Sequence, residues 1–192
     1  MQDLTPSPDF LAEIVRGVAA KPPPDGMSTR IIAVDGLGGA GKSSFAARLA
    51  DELGGAQVLH TDDFASWENP TDWWPRLLEE ALEPLSRNQS ARYRRTDWGN
   101  PDHQEWGEVT PAEFAILEGV TATREALRPF LTYSIWIETP GELRLRRGLE
   151  RDGEEARSQW EEWIAKEEDY MRRERPQERA DLVLPGDQNL WR

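Results

Sequence analysis

Apolar positions along this chain follow two rhythms, short unbroken runs rich in β-branched residues and longer stretches with apolar residues three and four apart. Residues 9–20, DFLAEIVRGVAA, show the second rhythm, and Pro22, Pro23 and Pro24 stop it; an N-terminal helix and linker are expected over 1–29. Residues 30–35, RIIAVD, show the first rhythm and run into a glycine loop, after which residues 42–53 are helical in pattern and close at Gly54 and Gly55. Residues 56–60, 114–118, 133–138 and 180–184 read as further buried strands with helical segments between most of them. Strands apolar on both faces and alternating with helices require a parallel sheet covered on each side. The expected class is α/β, with about five strands and helices on both faces.

The stretch 65–110 breaks this alternation. It holds Trp67, Trp73, Trp74, Trp98 and Trp106 together with Arg87, Arg92, Arg94 and Arg95, and is read as an insert. Within it Trp74, Leu78, Leu82 and Leu85 recur at helical spacing and read as core, and a second stripe, Trp160, Trp163, Ile164 and Met171, reads as the packed face of a long helix. The length, 192 residues, suits one domain spanning 1–192.

Charge narrows the function classes. Lys plus Arg is 23 against 36 Asp plus Glu, a net charge of −13 that repels nucleic acid and anionic membranes. With no cysteine and only His60 and His103 as histidines, thiolate metal sites and disulfides are excluded and a histidine cluster is hard to build. The first residues lack a basic stretch followed by an apolar run, and no segment approaches a membrane span, so a cytoplasmic protein is expected.

Residues 36–43, GLGGAGKS, match G-x-x-x-x-G-K-[ST] directly after a strand and directly before a helix. Gly36, Gly38, Gly39, Ala40, Gly41, Lys42, Ser43 and Ser44 are therefore expected to bind nucleotide. The loop amides wrap phosphate, Lys42 reaches the outer phosphates and the Ser43 hydroxyl serves Mg²⁺. No N-K-x-D is present, which removes the guanine-recognition partner expected of a GTPase. Asp62 and Asp63 follow the second strand and Glu118 ends the third, at the carboxyl edge where α/β proteins bind ligands. Asp62 suits a proton acceptor that also touches Mg²⁺ and Glu118 a second Mg²⁺ contact, while capping of the following helix or turn is the alternative for the two aspartates, for Asp63 more than for Asp62. In residues 143–152, LRLRRGLERD, Arg144, Arg147 and Arg151 fall within about 60° of one helix face, suiting a lid over 143–160 that neutralises phosphate.

Taken in order, these motifs resemble the uridine kinase and phosphoribulokinase group of P-loop kinases over residues 30–185. Asp62, Asp63 and Phe64 resemble the family's D-x-F, and Trp67, Glu68, Asn69 and Pro70 a variant of its Phe-Asp-His-Pro. Asp97 and Trp98 resemble its Tyr-Asp-Phe, Leu117, Glu118 and Gly119 its strand-end acid, and Arg144 to Asp152 its R-L-x-R-x-x-x-R-D. Ser158, Gln159 and Trp160 resemble its Ser-Gln-Tyr, and residues 180–183 its last strand. Thr96 stands where the family has a base-contacting tyrosine, no histidine follows it at the matching place, and the stretch between Phe64 and Trp67 is short.

The resemblance implies a three-layer P-loop NTPase fold with a lid and a substrate-binding insert, and an ATP- and Mg²⁺-dependent kinase acting on a hydroxyl of a small molecule, a nucleoside such as uridine or cytidine. It makes Lys42, Asp62, Arg144, Arg147 and Arg151 the catalytic set. Ser43, Asp62 and Glu118 become the metal set, and Asp62, Trp67, Glu68, Asp97, Trp98 and Gln159 the acceptor set, to which the position of Arg94 and Arg95 just before Thr96 adds those two arginines. The alternatives are a kinase of a phosphorylated acceptor, for which Arg87, Arg92, Arg94 and Arg95 would supply cations, and a nucleotide-binding regulator contacting a partner through the acidic helix 161–169. A second copy of the chain as partner stays open.

Overall fold

The computed structural model describes residues 9–66, 69, 72–97 and 105–187. Strand β1 is Arg30–Asp35, β2 Gln57–His60, β3 Ala91–Arg95, β4 Glu105–Val109, β5 Phe114–Glu118, β6 Tyr133–Glu138 and β7 Leu182–Pro185. Among the described residues, β2, β5, β1, β6 and β7 lie side by side in that order with every neighbouring pair parallel, while β3 and β4 form a separate antiparallel pair. Three strands fall where the apolar runs predict them. The last begins at Leu182 rather than at residue 180, because the Asp181 carboxylate turns back to accept the Ser134 backbone N–H at 2.8 Å and its hydroxyl at 2.9 Å.

Helix α1 is Phe10–Ala19 and α2 Lys42–Glu52. Alternation along β1 sends Ile32 and Val34 to one face, where they pack with Phe10, Ile14 and Val18 of α1 and Phe45 and Leu49 of α2. Ile31 and Ala33 go to the other face and meet α3, the helical run 74–86, through Leu77, Ala81, Leu82 and Leu85. Each such buried aliphatic side chain contributes about 1.5–3 kcal/mol, which explains why both faces of β1 read as apolar. Within α3 a π turn, Leu78–Leu82, separates Trp74–Leu77 from Glu83–Ser86. The extra residue rotates the buried stripe, so Trp74 and Leu78 are only partly buried while Trp73, Leu77 and Ala81 are core.

Arg76 ties α3 to its surroundings, donating to the Arg94 carbonyl at 2.6 Å and to Glu80 at 2.8 Å with its guanidinium over the Phe64 ring. The chain continues through a 3₁₀ turn, Glu125–Phe130, to α4, Gly141–Asp152, then α5, Arg157–Glu174, and α6, Pro176–Arg179. No described helix is long and apolar enough to cross a membrane.

Candidate functional site

The loop between β1 and α2 is closed by glycines that no other residue replaces easily. Gly41, the residue before α2, has φ +100°. Gly39 has φ +76°, and a Cβ there would stand 2.5 Å from the Arg144 carbonyl oxygen. The expected nucleotide-binding residues, 36–44, all lie in this loop and the first turn of α2. Lys42 is 8% exposed, and its ammonium donates to the Leu37 carbonyl at 3.2 Å, folded over the loop itself.

Parallel pairing of β2 with β5 sets His60 opposite Glu118 at the carboxyl edge of the sheet. Glu118 is 4% exposed; it accepts the Ser43 hydroxyl on Oε1 at 3.1 Å and lies 2.7 Å from His60 Nδ1 through Oε2. Burial alone would raise the Glu118 pKa, but His60, Lys42 and Ser43 outweigh it and hold the carboxyl below its ordinary value. The Glu118 hydrogen bond in turn raises His60. Asp62 and Asp63 occupy the 3₁₀ turn Thr61–Asp63 directly after β2. Asp62 is exposed, yet protein crowds its carboxyl enough that desolvation raises the pKa, with the Lys42 charge pulling the other way.

Asp63 faces the insert, paired with Arg95 at 3.4 Å, while its carbonyl accepts the Thr96 N–H at 2.9 Å. Asp63 thus sits in the turn after β2 with its side chain tied to β3. Ser43, Asp62 and Glu118 offer only oxygen ligands, the hard donors that Mg²⁺ prefers, and one or two carboxylates are its usual protein share beside phosphate and water. The donor set therefore fits that ion.

Helix α4 lays its arginine face on the glycine loop, but two of the three guanidiniums are bound to loop carbonyls. Arg144 donates to the Gly38 carbonyl at 3.3 Å and to Glu167 at 3.0 Å. Arg147 reaches the carbonyls of Gly39 at 3.4 Å, Ala40 at 3.5 Å and Gly186 at 3.0 Å. Arg151 makes a two-pronged contact with Asp152 at 2.7 and 2.8 Å, stacks over Trp160, and its charge acts on Asp62. Gly148 gives Trp160 its seat, since a Cβ there would stand 2.4 Å from the indole ring.

Of the expected acceptor residues, Trp67, Glu68 and Trp98 lie outside the described residues, as does His103. Arg94 and Arg95 point to opposite sides of β3, as neighbours on a strand must. Arg94 is exposed and paired in register with Trp106, whereas Arg95 stands between Asp63 and Glu105, 3.3 Å from the latter. Asp97 is half-buried just beyond β3, and Gln159 is exposed in the first turn of α5.

Two buried acids beside the glycine loop were not foreseen. Asp35, at the end of β1, accepts the N–H groups of Gly36 (2.7 Å), Thr121 (3.0 Å) and Thr123 (2.9 Å) and the hydroxyls of Thr123 (2.6 Å) and Tyr170 (2.7 Å). Desolvation raises its pKa in spite of these donors. Glu167, on α5, accepts the Gly38 N–H at 2.6 Å. The only forewarning is that the stripe begun by Trp160 and Trp163 continues at helical spacing onto Glu167 and Tyr170, polar residues on an otherwise apolar face.

A glycine loop between strand and helix, acids on the two strands to one side of it and an arginine helix across it define the fold of the P-loop kinases, with a five-stranded parallel sheet flanked by helices. No family model matches the chain. The chain is similar to the uridine kinase of Borrelia duttonii (strain Ly), 25% identical over 180 residues, which cover 81% of this chain and 86% of that one. It is also similar to the uridine kinase of Halobacterium salinarum, 24% identical over 185 residues that cover 82% and 80% of the two chains. Among solved structures, a possible uridine kinase from Bacillus stearothermophilus superposes with a TM-score of 0.66 at 19% identity, covering 92% of this chain and 97% of that chain. A chain named "putative fructose transport system kinase" from Silicibacter sp. TM1040 superposes at 0.69 with 22% identity, covering 91% and 98%.

Proposed function

We propose that this chain is a kinase that transfers the γ-phosphoryl group of ATP to a hydroxyl of a small uncharged acceptor, a nucleoside such as uridine or cytidine. The observation that carries the reading is the convergence of Lys42, Ser43, Asp62 and Glu118 at one sheet edge, with Asp62 exposed and inside the field of Lys42. The names of the curated relatives supply the acceptor class.

In this reading residues 1–192 act as one domain, 65–110 border the acceptor and 143–160 border the phosphates. The acceptor hydroxyl attacks the γ-phosphorus; the new O–P bond forms as the bond to the leaving ADP oxygen breaks, and the hydroxyl proton passes to the Asp62 carboxylate. Lys42 neutralises the outer phosphates, and Arg151, already acting on Asp62, is the α4 arginine nearest this chemistry in effect. Arg144 and Arg147 hold the loop that cradles the phosphates. Mg²⁺, held by Ser43, Asp62 and Glu118, supplies further charge neutralisation of the phosphate oxygens when bound.

The phosphorylated-acceptor alternative is disfavoured by the surroundings of the four arginines it relies on: Arg87 pairs with Glu83 at 3.7 Å and Arg92 lies over the Trp106 ring at 5.3 Å. Arg94 lies on the outer side of β3, and the charge of Arg95 is compensated by Asp63 and Glu105. The test is a coupled ADP-release screen with ATP and Mg²⁺ against nucleosides, nucleoside monophosphates, sugars and vitamins. Release that rises only with a nucleoside supports the reading, and release indifferent to every acceptor contradicts it.

A further inference from the structure

Helix α5 presents Glu161, Glu162 and Glu168 to solvent, yet Glu167 on the same helix is 1% exposed. Burying a carboxylate costs several kcal/mol unless charge and hydrogen bonds compensate it. Compensation here comes from the phosphate loop and the arginine helix together. Oε1 accepts the Gly38 N–H at 2.6 Å and the Trp163 indole N–H at 3.1 Å, and Oε2 accepts Arg144 Nη1 at 3.0 Å. The same Nη1 donates to the Gly38 carbonyl at 3.3 Å. One residue of the loop, Gly38, is thus gripped at its N–H by an acid and at its carbonyl by a guanidinium, and the two grips are each other's ion pair.

The grip is tight. A Cβ on Gly38 would stand 3.0 Å from the Trp160 ring and 3.1 Å from Glu167 Oε1, so loop, α4 and α5 meet with little slack. Arg144, at 7% exposure, turns only as far as Glu167 lets it. An apolar pair would join two helices at lower cost than a buried ion pair. What the ion pair adds is direction: it fixes which way the guanidinium and the Gly38 peptide face.

We infer that Glu167 is a positioning residue for phosphoryl transfer, acting through Arg144 and Gly38 to hold the phosphate loop in its working shape. The inference rests on the kinase reading above. Desolvation raises the Glu167 pKa, opposed first by the Gly38 N–H and then by the charges of Lys42 and Arg144.

The test compares Glu167→Gln, Arg144→Gln and the double variant for kcat and ATP KM with the acceptor saturating, with folding monitored by thermal melts. Glu167→Gln keeps an oxygen for Gly38 and Trp163 but turns an NH₂ toward Arg144. The expected result is a loss of kcat of about tenfold or more with ATP KM within about threefold, and a double variant no worse than the weaker single one, because the pair works as a unit. Glu167→Asp, which keeps the charge but is one methylene short of holding both partners, should give an intermediate loss of kcat and serves where the amide variant folds poorly. Trp163→Phe removes a donor to the same carboxylate without touching Arg144 and should leave kcat within about threefold; a merely structural role for Glu167 would move stability alone. A normal kcat in Glu167→Gln, or losses that multiply in the double variant, would overturn the assignment while leaving the kinase reading intact. Absence of acceptor-dependent turnover in the unmodified chain would overturn the kinase reading and this assignment with it.

Discussion

Replacing Tyr170 by Phe removes one oxygen and leaves the ring in place, so it isolates a single hydrogen bond at the foot of the phosphate loop. Tyr170 is 2% exposed and Asp35 fully buried, and the hydroxyl donates to Asp35 Oδ2 at 2.7 Å. The carboxylate keeps four other donors, on Gly36, Thr121 and Thr123, so the variant loses a bond to a charged acceptor without stranding the acid. A hydrogen bond of that kind is worth about 1.5–3 kcal/mol. In a chain of this size each kcal/mol moves the melting temperature by about 2–4 °C, so Tyr170→Phe should melt about 3–12 °C lower. Calorimetry at pH 7, with urea unfolding as a second measure, reads both quantities. Thr123→Val, which removes the other hydroxyl on the same oxygen, should cost a similar amount, and the two losses should not add because they share Oδ2. A Tyr170→Phe variant within about 0.5 kcal/mol of the parent chain would refute the reasoning, since Asp35 would then not need α5 to satisfy it.

Other perturbations read other parts of the account. Lys42→Ala should lower phosphoryl transfer by about two orders of magnitude or more while the fold survives, as read by steady-state ADP release and a thermal melt. Asp62→Asn should retain ATP binding by calorimetry and lose turnover, whereas Asp63→Asn should loosen β3 and cost much less activity; exchanged behaviour would reverse the assignment of the pair. Arg94→Ala and Arg95→Ala should each change acceptor kcat/KM by less than about tenfold, and a collapse with either would favour a phosphorylated acceptor. At Asp181 burial alone would raise the pKa, but Lys21 and Ser134 outweigh it and bring it below 3.8. The stability it contributes is therefore present above pH 3.8 and lost as pH falls through the folded value, so the gap between the parent chain and Asp181→Asn in pH-resolved melts should be full near neutrality and close in acid.

Strands β1, β5 and β6 were legible residue for residue, because each is a run apolar on both faces and bounded by turn signals. The glycine loop and the acids Asp62 and Glu118 were legible for a related reason: their chemistry depends on residue type and on position at a strand end. The insert was less so. Its apolar spacing predicted a helix, but the π turn at Leu78–Leu82 arises from packing on the sheet and carries no signature of its own. The motif placed three arginines on one face of α4, yet whether a guanidinium reaches a phosphate or a backbone carbonyl depends on the neighbouring loop and on Glu167. Glu167 sits among other acids on α5, and nothing local separates the buried one from the solvated ones until the helix is folded against the loop. Asp35 ends a strand as many acids do; its five donors come from four residues, three of them more than eighty positions away.

The most direct test follows the phosphoryl group itself. The protein is incubated with γ-labelled ATP, Mg²⁺ and uridine or cytidine, and the products are separated and identified by mass, with Asp62→Asn run in parallel. The account predicts that label appears in the nucleoside monophosphate in equal amount to the ADP formed, that it requires the nucleoside, and that the Asp62→Asn protein transfers almost none. Label released only as inorganic phosphate at a rate indifferent to the nucleoside, or transfer undiminished in Asp62→Asn, would contradict it.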